Sequence, residues 1–283
     1  MPGSNARALE KGRTLAADGL IFDLEDAVVP HAKEEARQQI FDAIAEGGYG
    51  KREIIVRVNG FDTPWGKDDI ALMAKSGADA ILLPKVENAD TVKEAEAYMN
   101  VLNASEDMAI WCMMEAALGI LHAEEIAFAT PRLGGFVFGS SDLVKDLHAS
   151  HTRDRLPLVT AMGVSMLAAR AAGIAILDGV HLNLSDDEGF EVSCQQGAEF
   201  GFDGKTLIHP KTIDVANKAF SPTQDEIDWS KKIIDAHAEA EKVGQGIVVV
   251  DGKLVENLHV ENAKRLVQMS DMITEMEKDR AEA

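Results

Sequence analysis

The chain has 283 residues, enough for one large domain or a domain with an appendage, and its 46% apolar and 27% charged residues are ordinary values for a globular protein. Acidic residues number 48 against 28 basic ones, a formal charge of -20, which argues against nucleic acid or an anionic membrane as the main partner and obliges any anion site to carry its own basic residues. Cys112 and Cys194 are too few for a disulfide framework and lack metal-site spacing, no apolar run approaches membrane-spanning length, and no signal peptide is read, so the cytoplasm is expected.

The chain opens "MPGSNARALEKG", in which Pro2, Gly3, Ser4 and Asn5 are turn and cap residues ahead of a predicted helix. From there to about residue 220, short apolar runs alternate with helical patterns, several of which stop at glycine. The predicted strands are "GLIFDLED" (19–26), "EIIVRVNG" (53–60), "ADAILLPKV" (78–86) and "MAIWCMME" (108–115), then "LGGFVFGSSDL" (133–143), "IAILDGVHL" (174–182) and "GFDGKTLIHP" (201–210). Strands alternating with helices mean parallel βαβ units. Each run ends in polar residues: Glu25 and Asp26, Arg57 and Asn59, Lys85, Glu115, Asp142, Asp178 and His181, Lys205 and His209. Active sites of α/β (β/α)8 TIM barrels are built at those ends, whereas a doubly wound sheet concentrates its polar residues at one switch point. Neither a GxGxxG fingerprint nor a P-loop is found. A TIM barrel over 1–220 is therefore expected, and a closed barrel needs an eighth strand.

Residues 221–283 read differently. A helix is predicted to open at Ser221-Pro222, followed by a hairpin turning at Asp251-Gly252 and a last helix over 259–280. Such an appendage is expected to be too small for its own core and to cover the barrel or a neighbouring subunit.

Two carboxylates stand out, Glu115 in "MMEAALGI" and Asp142 in "FGSSDLV", each followed by small residues. Carboxylates at consecutive strand ends can share one hard cation; solvated loop acids are an equally weighted reading on so acidic a chain. In "FDLEDAV", alternation puts Asp23 and Glu25 on one face and Asp26 on the other, and three acids this close call for a cation or an arginine, while Asp26 also suits a helix cap. Arg57 lies in an apolar strand at a phase that can point inward, where a guanidinium wants a carboxylate or a bound oxyanion. Lys85, Lys205 and His209 are ligand contacts or strand-end ion pairs, and no partner spacing is read for His122, His148, His151, His237 and His259. Together these residues describe a barrel enzyme with a Mg2+-like site and a cationic residue for an anionic or enolising substrate; a non-catalytic binding module gives less reason for paired acids beside an inward arginine.

Taken in order, "PGSNARALEK", "GLIFDLEDAV", "VRVNGFDTPWG", "ILLPKV", "MMEAALGI", "FGSSDL", "DGVHLNLSDDEGF", "GFDGKTLIHPKTIDVAN" and "VVVDGKLVENLHVENAK" closely resemble the HpcH/HpaI aldolase/citrate lyase β-subunit superfamily, most of all its malyl-CoA/citramalyl-CoA lyase and (3S)-malyl-CoA thioesterase branch. The resemblance implies that Glu115 and Asp142 ligate Mg2+ (or Mn2+) and that Arg57 binds the oxygens of a 2-oxo acid. It places Glu25 and Asp26 behind them, orienting Arg57 and metal-bound water. Ser4, Arg7, Lys11, Lys205, His209 and Pro210 would lie along the path of the CoA thioester. The implied reaction is cleavage of a 3-hydroxyacyl-CoA such as (3S)-malyl-, β-methylmalyl- or citramalyl-CoA into a 2-oxo acid and an acyl-CoA through an enolate. Hydrolysis to malate and CoA is the alternative, and a CoA-independent 2-oxo acid aldolase the second. Glu256 stands where relatives carry an aspartate donated by a neighbouring subunit, one methylene longer, which implies a homotrimer or hexamer. In relatives a short apolar strand runs into "xPGSN", so the first strand is expected to fall before residue 1, through a downstream start site or a truncation.

Overall fold

Runs such as Ile54–Val56 and Ala80–Leu83 are apolar at every position because both faces of their sheet are covered. In the computed structural model, which describes residues 1–282, the chain forms two units, Met1–Phe220 and Ser221–Ala283. The first holds a parallel sheet in sequential order: β1 (Gly19–Asp23), β2 (Glu53–Arg57), β3 (Ala80–Leu83), β4 (Ala109–Met114), β5 (Leu133–Phe138), β6 (Ala175–Asp178) and β7 (Gly204–Lys205). The helices of this unit are α1 (Ala6–Gly12), α2 (Lys33–Glu46), α3 (Gly66–Met73), α4 (Ala89–Val101), α5 (Ala117–Leu121), α6 (Ala123–Ala127), α7 (Ser140–Asp146), α8 (Val159–Ala172), α9 (Asp187–Phe200) and α10 (Ile213–Phe220).

Alternation along the strands divides the core. One set of side chains, from Phe22, Val56, Ile81, Ile110 and Phe136, joins the large cluster under the helices. The other set, Ile55, Leu82, Trp111, Met113 and Val137 with Ile21 and Leu177 packed on it, forms a separate interior cluster. A cluster fed by strands as far apart as β1 and β6 requires the sheet to curl around it. Gly135 is part of that packing, since a Cβ there would stand 2.7 Å from the Trp111 ring.

The curl stops short of a closed eight-stranded barrel, in keeping with the seven strands read from the sequence. Among the described residues the sheet has seven strands, and no ladder joins β7 to β1. β7 is a two-residue strand paired only through Leu177–Gly204 and Asp178–Lys205, too short to carry a closing ladder. On the other edge, Met1–Gly3 run parallel to β1: the Met1 amino group donates to the Ile21 carbonyl at 2.6 Å, Asp23 N–H to Met1 O at 2.8 Å, and Gly3 N–H to Asp23 O at 2.8 Å. Ser4 and α1 therefore leave the sheet at the carboxyl end of β1.

In the second unit, α11 (Gln224–Lys242) packs on a hairpin of β8 (Ile247–Val250) and β9 (Lys253–Glu256) and on α12 (Asn257–Glu282). The helix start differs from the predicted Ser221-Pro222. Thr223 caps it, in a capping box with Glu226 that satisfies N–H groups at both ends of the motif. The hairpin turns at Asp251 and Gly252, both at positive φ, as a two-residue primed turn demands. This unit also has a core of its own, Ile233, Val250, Val255, Val260 and Ala263, contrary to expectation. Only one face of the hairpin enters it. Register pairs Val249 with Leu254 and Ile247 with Glu256, so these four share the opposite, outward face, on which Ile247, Val249 and Leu254 are exposed.

Candidate active site

The interior cluster is apolar until the strands end, and the next inward step on three of them is charged. Ile21 is followed by Asp23, Ile55 by Arg57, and Met113 by Glu115. Register places Asp23 opposite Arg57 on β1 and β2. The guanidinium grips Asp23 with two bonds, Nε to Oδ1 at 2.7 Å and Nη2 to Oδ2 at 2.5 Å, and its Nη1 stands 3.2 Å from Glu25. Burial pushes the Asp23 carboxyl up, but the Arg57 hydrogen bonds and charge outweigh it, and its pKa lies below the usual value. The Arg57 pKa is raised, with its hydrogen bond to Asp23 overcoming burial. Asp23 also accepts the N–H groups of Glu25 and Ala27, which shapes the turn after β1.

Lys33 fixes that turn from beneath. Its buried ammonium donates to the carbonyls of Leu24 and Glu25 and to Oδ1 of Asn59, and lies 5.1 Å from the Trp65 ring centre. Desolvation lowers its pKa, while Glu25, Asp69 and Asp23 pull the other way.

Glu115 is 3% exposed and stands on the floor of the site. Its Oε1 accepts the Lys85 N–H at 2.9 Å. Its other oxygen faces Gly139, where an added Cβ would stand 2.5 Å from Oε2 and closer still to the Glu115 Cβ. Burial, the neighbouring Asp142 and Glu25 push the Glu115 pKa up to about 7, against the Lys85 hydrogen bond and Arg57. Half-buried Asp142 sits in the first turn of α7, which Gly139 joins to the end of β5. Lys85, after β3, adopts a left-handed φ of +49° and extends its ammonium to Glu25 and, at 3.6 Å, to Asp26.

Five carboxylates, Asp23, Glu25, Asp26, Glu115 and Asp142, thus outnumber the side-chain cations beside them, Arg57, Lys85 and Lys33. Among the described residues no three His, Cys, Asp or Glu side chains converge as a ready-made metal cage. A buried carboxylate with a single hydrogen bond, a second carboxylate beside it and an excess of acids over side-chain cations are donors of the kind that suit a hard divalent cation keeping water or substrate oxygens as its remaining ligands.

The other predicted site residues are scattered. Ser4, Arg7 and Lys11 are exposed on the segment that leaves the sheet beside Asp23, with Arg7 and Lys11 four apart on α1. His209 and Pro210 are exposed in a short 3-10 turn, the His209 ring accepting the Lys211 N–H. Lys205 does not fit the expected CoA path: its side chain is fully buried, bonded to Asp178 at 2.7 Å beneath α9. Asp178 shares the phase of Ile176, which packs under the helices, so this pair faces away from the interior. Asp26 is 58% exposed and touches Lys85 rather than Arg57; Asp23 does the orienting expected of Asp26. Asp23 was legible as one of three clustered acids, whereas Lys33, the first residue of α2 in the solvent-like run "KEEAR", carried no signal. Glu256 lies in the second unit, half-buried at the end of β9, its N–H bonded to the His259 ring.

An acid-rich floor with a locked arginine at the carboxyl ends of parallel strands is where α/β enzymes with curled parallel sheets place their active sites. A sequence profile described as HpcH/HpaI aldolase/citrate lyase matches residues 1–210, and the chain belongs to that family. It is 48% identical over 273 residues to a (3S)-malyl-CoA thioesterase of Cereibacter sphaeroides, covering 96% of this chain and 93% of that protein. It is 37% identical to the citrate lyase subunit beta of Leuconostoc mesenteroides subsp. cremoris, covering 95% of this chain and 91% of that one. Among solved structures, CitE from Mycobacterium tuberculosis in complex with magnesium, acetoacetate and coenzyme A superposes with a TM-score of 0.77 at 28% identity, over 96% of both chains. No helix among the described residues is long and apolar enough to cross a membrane.

Proposed function

We propose that this chain is a Mg2+-dependent enzyme of 3-hydroxyacyl-CoA thioesters of the (3S)-malyl-CoA type, with hydrolysis to malate and CoA as its net reaction. The observation that carries the reading is the Glu115–Asp142 carboxylate pair beside Arg57, with its excess of acids over side-chain cations. Hydrolysis is placed ahead of carbon–carbon cleavage because the relatives 47–48% identical over 273 residues bear the thioesterase name and because Glu256 extends its carboxylate one methylene beyond the aspartate of the lyases.

Glu115 and Asp142 would hold the cation, which would supply Lewis-acid polarisation of substrate oxygens. Arg57, locked by Asp23, keeps its remaining N–H donors aimed where substrate oxygens gather charge. Glu25 steadies the guanidinium from its other edge. Ser4, Arg7 and Lys11, with His209 and Pro210, supply the exposed contacts for CoA. Glu256 from a neighbouring copy of the chain serves as the mobile carboxylate: in hydrolysis it takes a proton from the attacking water, the water oxygen adds to the thioester carbon, and the C–S bond breaks with the proton passing to the leaving thiolate. The exposed apolar face around Glu256 supports a covered, oligomeric setting.

Carbon–carbon cleavage is the second reading, favoured by the citrate lyase relatives. There the 3-hydroxyl gives its proton to the Glu256 carboxylate, the C2–C3 bond breaks to give glyoxylate, and the acetyl-CoA enolate takes that proton back from the same carboxyl group. Incubation with (3S)-malyl-CoA and Mg2+, with glyoxylate, malate and free thiol assayed separately, distinguishes them. Malate with equal free thiol is expected; glyoxylate without malate turns the assignment to the lyase; no product of either kind overturns both.

A further inference from the structure

The three cations of the site differ in how fully they are engaged. Lys33 has three protons and three acceptors, and is 6% exposed. Arg57 is forked onto Asp23 and turned toward Glu25, with its side chain 17% exposed. Lys85 is different: its side chain is 50% exposed, and its partners do not depend on it. Glu25 keeps Arg57 at 3.2 Å without it, and Asp26, 3.6 Å away, is itself largely in water. Lys85 is thus the cation of this cluster that can leave its carboxylates without stranding a buried charge.

Its main chain ties the same residue to the floor of the site. The left-handed backbone, unfavourable for a side chain with a Cβ, turns the Lys85 N–H onto Oε1 of Glu115. The next residue holds that conformation: the Val86 carbonyl lies so close under Gly119 of α5 that a Cβ there would collide with it. The Lys85 ammonium therefore swings from a fixed anchor, at the level of Glu115 and on the solvent side of Glu25.

We propose that Lys85 receives a carboxylate of the small acid bound in this site, exchanging Glu25 for it. This rests on the carboxylate-and-cation reading of the site given above. It assigns the first capture of the anion to Lys85 and leaves Arg57, bound to Asp23, as the fixed wall against which the acid settles.

The test uses the full-length protein and three probes measured by calorimetry: glyoxylate at saturating Mg2+, coenzyme A alone, and Mn2+ alone. Lys85→Met should weaken glyoxylate about tenfold or more. It should tighten Mn2+ by about two- to fivefold, because the site loses a positive charge, and leave coenzyme A within about twofold. Lys85→Arg should restore most of the glyoxylate affinity. Lys85→Gly, suited to the left-handed backbone, should repeat the Met result should that variant not fold. Unchanged glyoxylate affinity in Lys85→Met overturns the proposal, and so does a loss confined to coenzyme A, which would give the ammonium to a phosphate. A parallel loss for all three probes would reduce Lys85 to a structural part. Wild-type protein that binds neither glyoxylate with Mg2+ nor coenzyme A would remove the functional reading itself, whereas normal wild-type binding untouched by the substitution removes Lys85 alone.

Discussion

Two groups of buried charge stand at the carboxyl ends of the same sheet, and they face opposite ways. Asp23, Arg57 and Glu115, on β1, β2 and after β4, point into the curl, at the phase of Ile21, Ile55 and Met113. Asp178, Arg155 and Lys205 point out beneath α9, and Asp178 lies against Gly197 of that helix. The outer carboxylate is saturated: it accepts from Arg155 at 2.6 and 2.8 Å, from Lys205 at 2.7 Å and from the Gly179 N–H at 2.8 Å. The inner group is left with more carboxylate than cation, and Glu115 answers by holding its proton up to about 7. The difference teaches that burial and charge do not mark a working site by themselves. The group whose carboxylates keep unfilled acceptors is the one equipped to take up something else.

Asp142→Ala should break the inner group most completely. Turnover should fall to background, together with Mg2+ binding, in a protein with unchanged circular dichroism; an active, metal-independent variant would remove the cation assignment. Glu256→Ala should keep the fold and coenzyme A binding and lose about 10²- to 10⁴-fold in turnover. Turnover at the wild-type rate would take Glu256 out of the mechanism. The outer group should respond in stability. Asp178→Ala leaves two buried cations without their carboxylate and should cost about 3–5 kcal/mol in denaturant unfolding, with Mg2+ affinity unchanged in the folded fraction; a cost under about 1 kcal/mol would mean that the outer group is not a structural clamp.

The smallest effect is the pH dependence of the metal-free protein. The Glu115 pKa is raised in the folded state, so the unfolded chain gives up this proton first as pH rises. The contribution is favourable below about 4.5, declines between there and about 7, and is gone above, a change of at most about 3 kcal/mol. Asp23 is shifted the other way, and its contribution is lost only on acidification below the ordinary aspartate range, outside this window. Glu115→Gln in the presence of a chelator should therefore flatten the fall in unfolding midpoint between pH 5 and pH 8, and an unaltered pH profile would mean that Glu115 ionises freely.

The comparison also shows what could be read from the amino acids. The inner group was legible because its strands are long enough for alternation to fix the phase: three apolar residues before Arg57, six before Glu115. Lys205 was misplaced because a two-residue strand has no readable phase, and the sequence shows a lysine at a strand end but not the side it takes. The partners of Arg57 were read in part: Glu25 stands 3.2 Å from it, but Asp23 takes the place expected of Asp26. Asp23, Glu25 and Asp26 are equally acidic in sequence, and only the β1–β2 register sets Asp23 opposite the guanidinium. Lys33 escaped notice because a lysine opening a charged helix looks like any solvated one until the turn above it is in place. Seven strands were read from the sequence and seven form among the described residues, whereas closure of a barrel depends on edge pairing, which no strand pattern encodes.

Gly139 carries a consequence for how this site tolerates change. The room for the Glu115 carboxylate exists because position 139 has no side chain, and a single methyl group there would overlap both the Cβ and Oε2 of Glu115. Sites built on excess space degrade gradually as atoms are trimmed away. This one is intolerant in the other direction: one added carbon, without touching any acid or base, would evict the carboxylate from its place, so part of the active-site specification is written in an atom the chain leaves out.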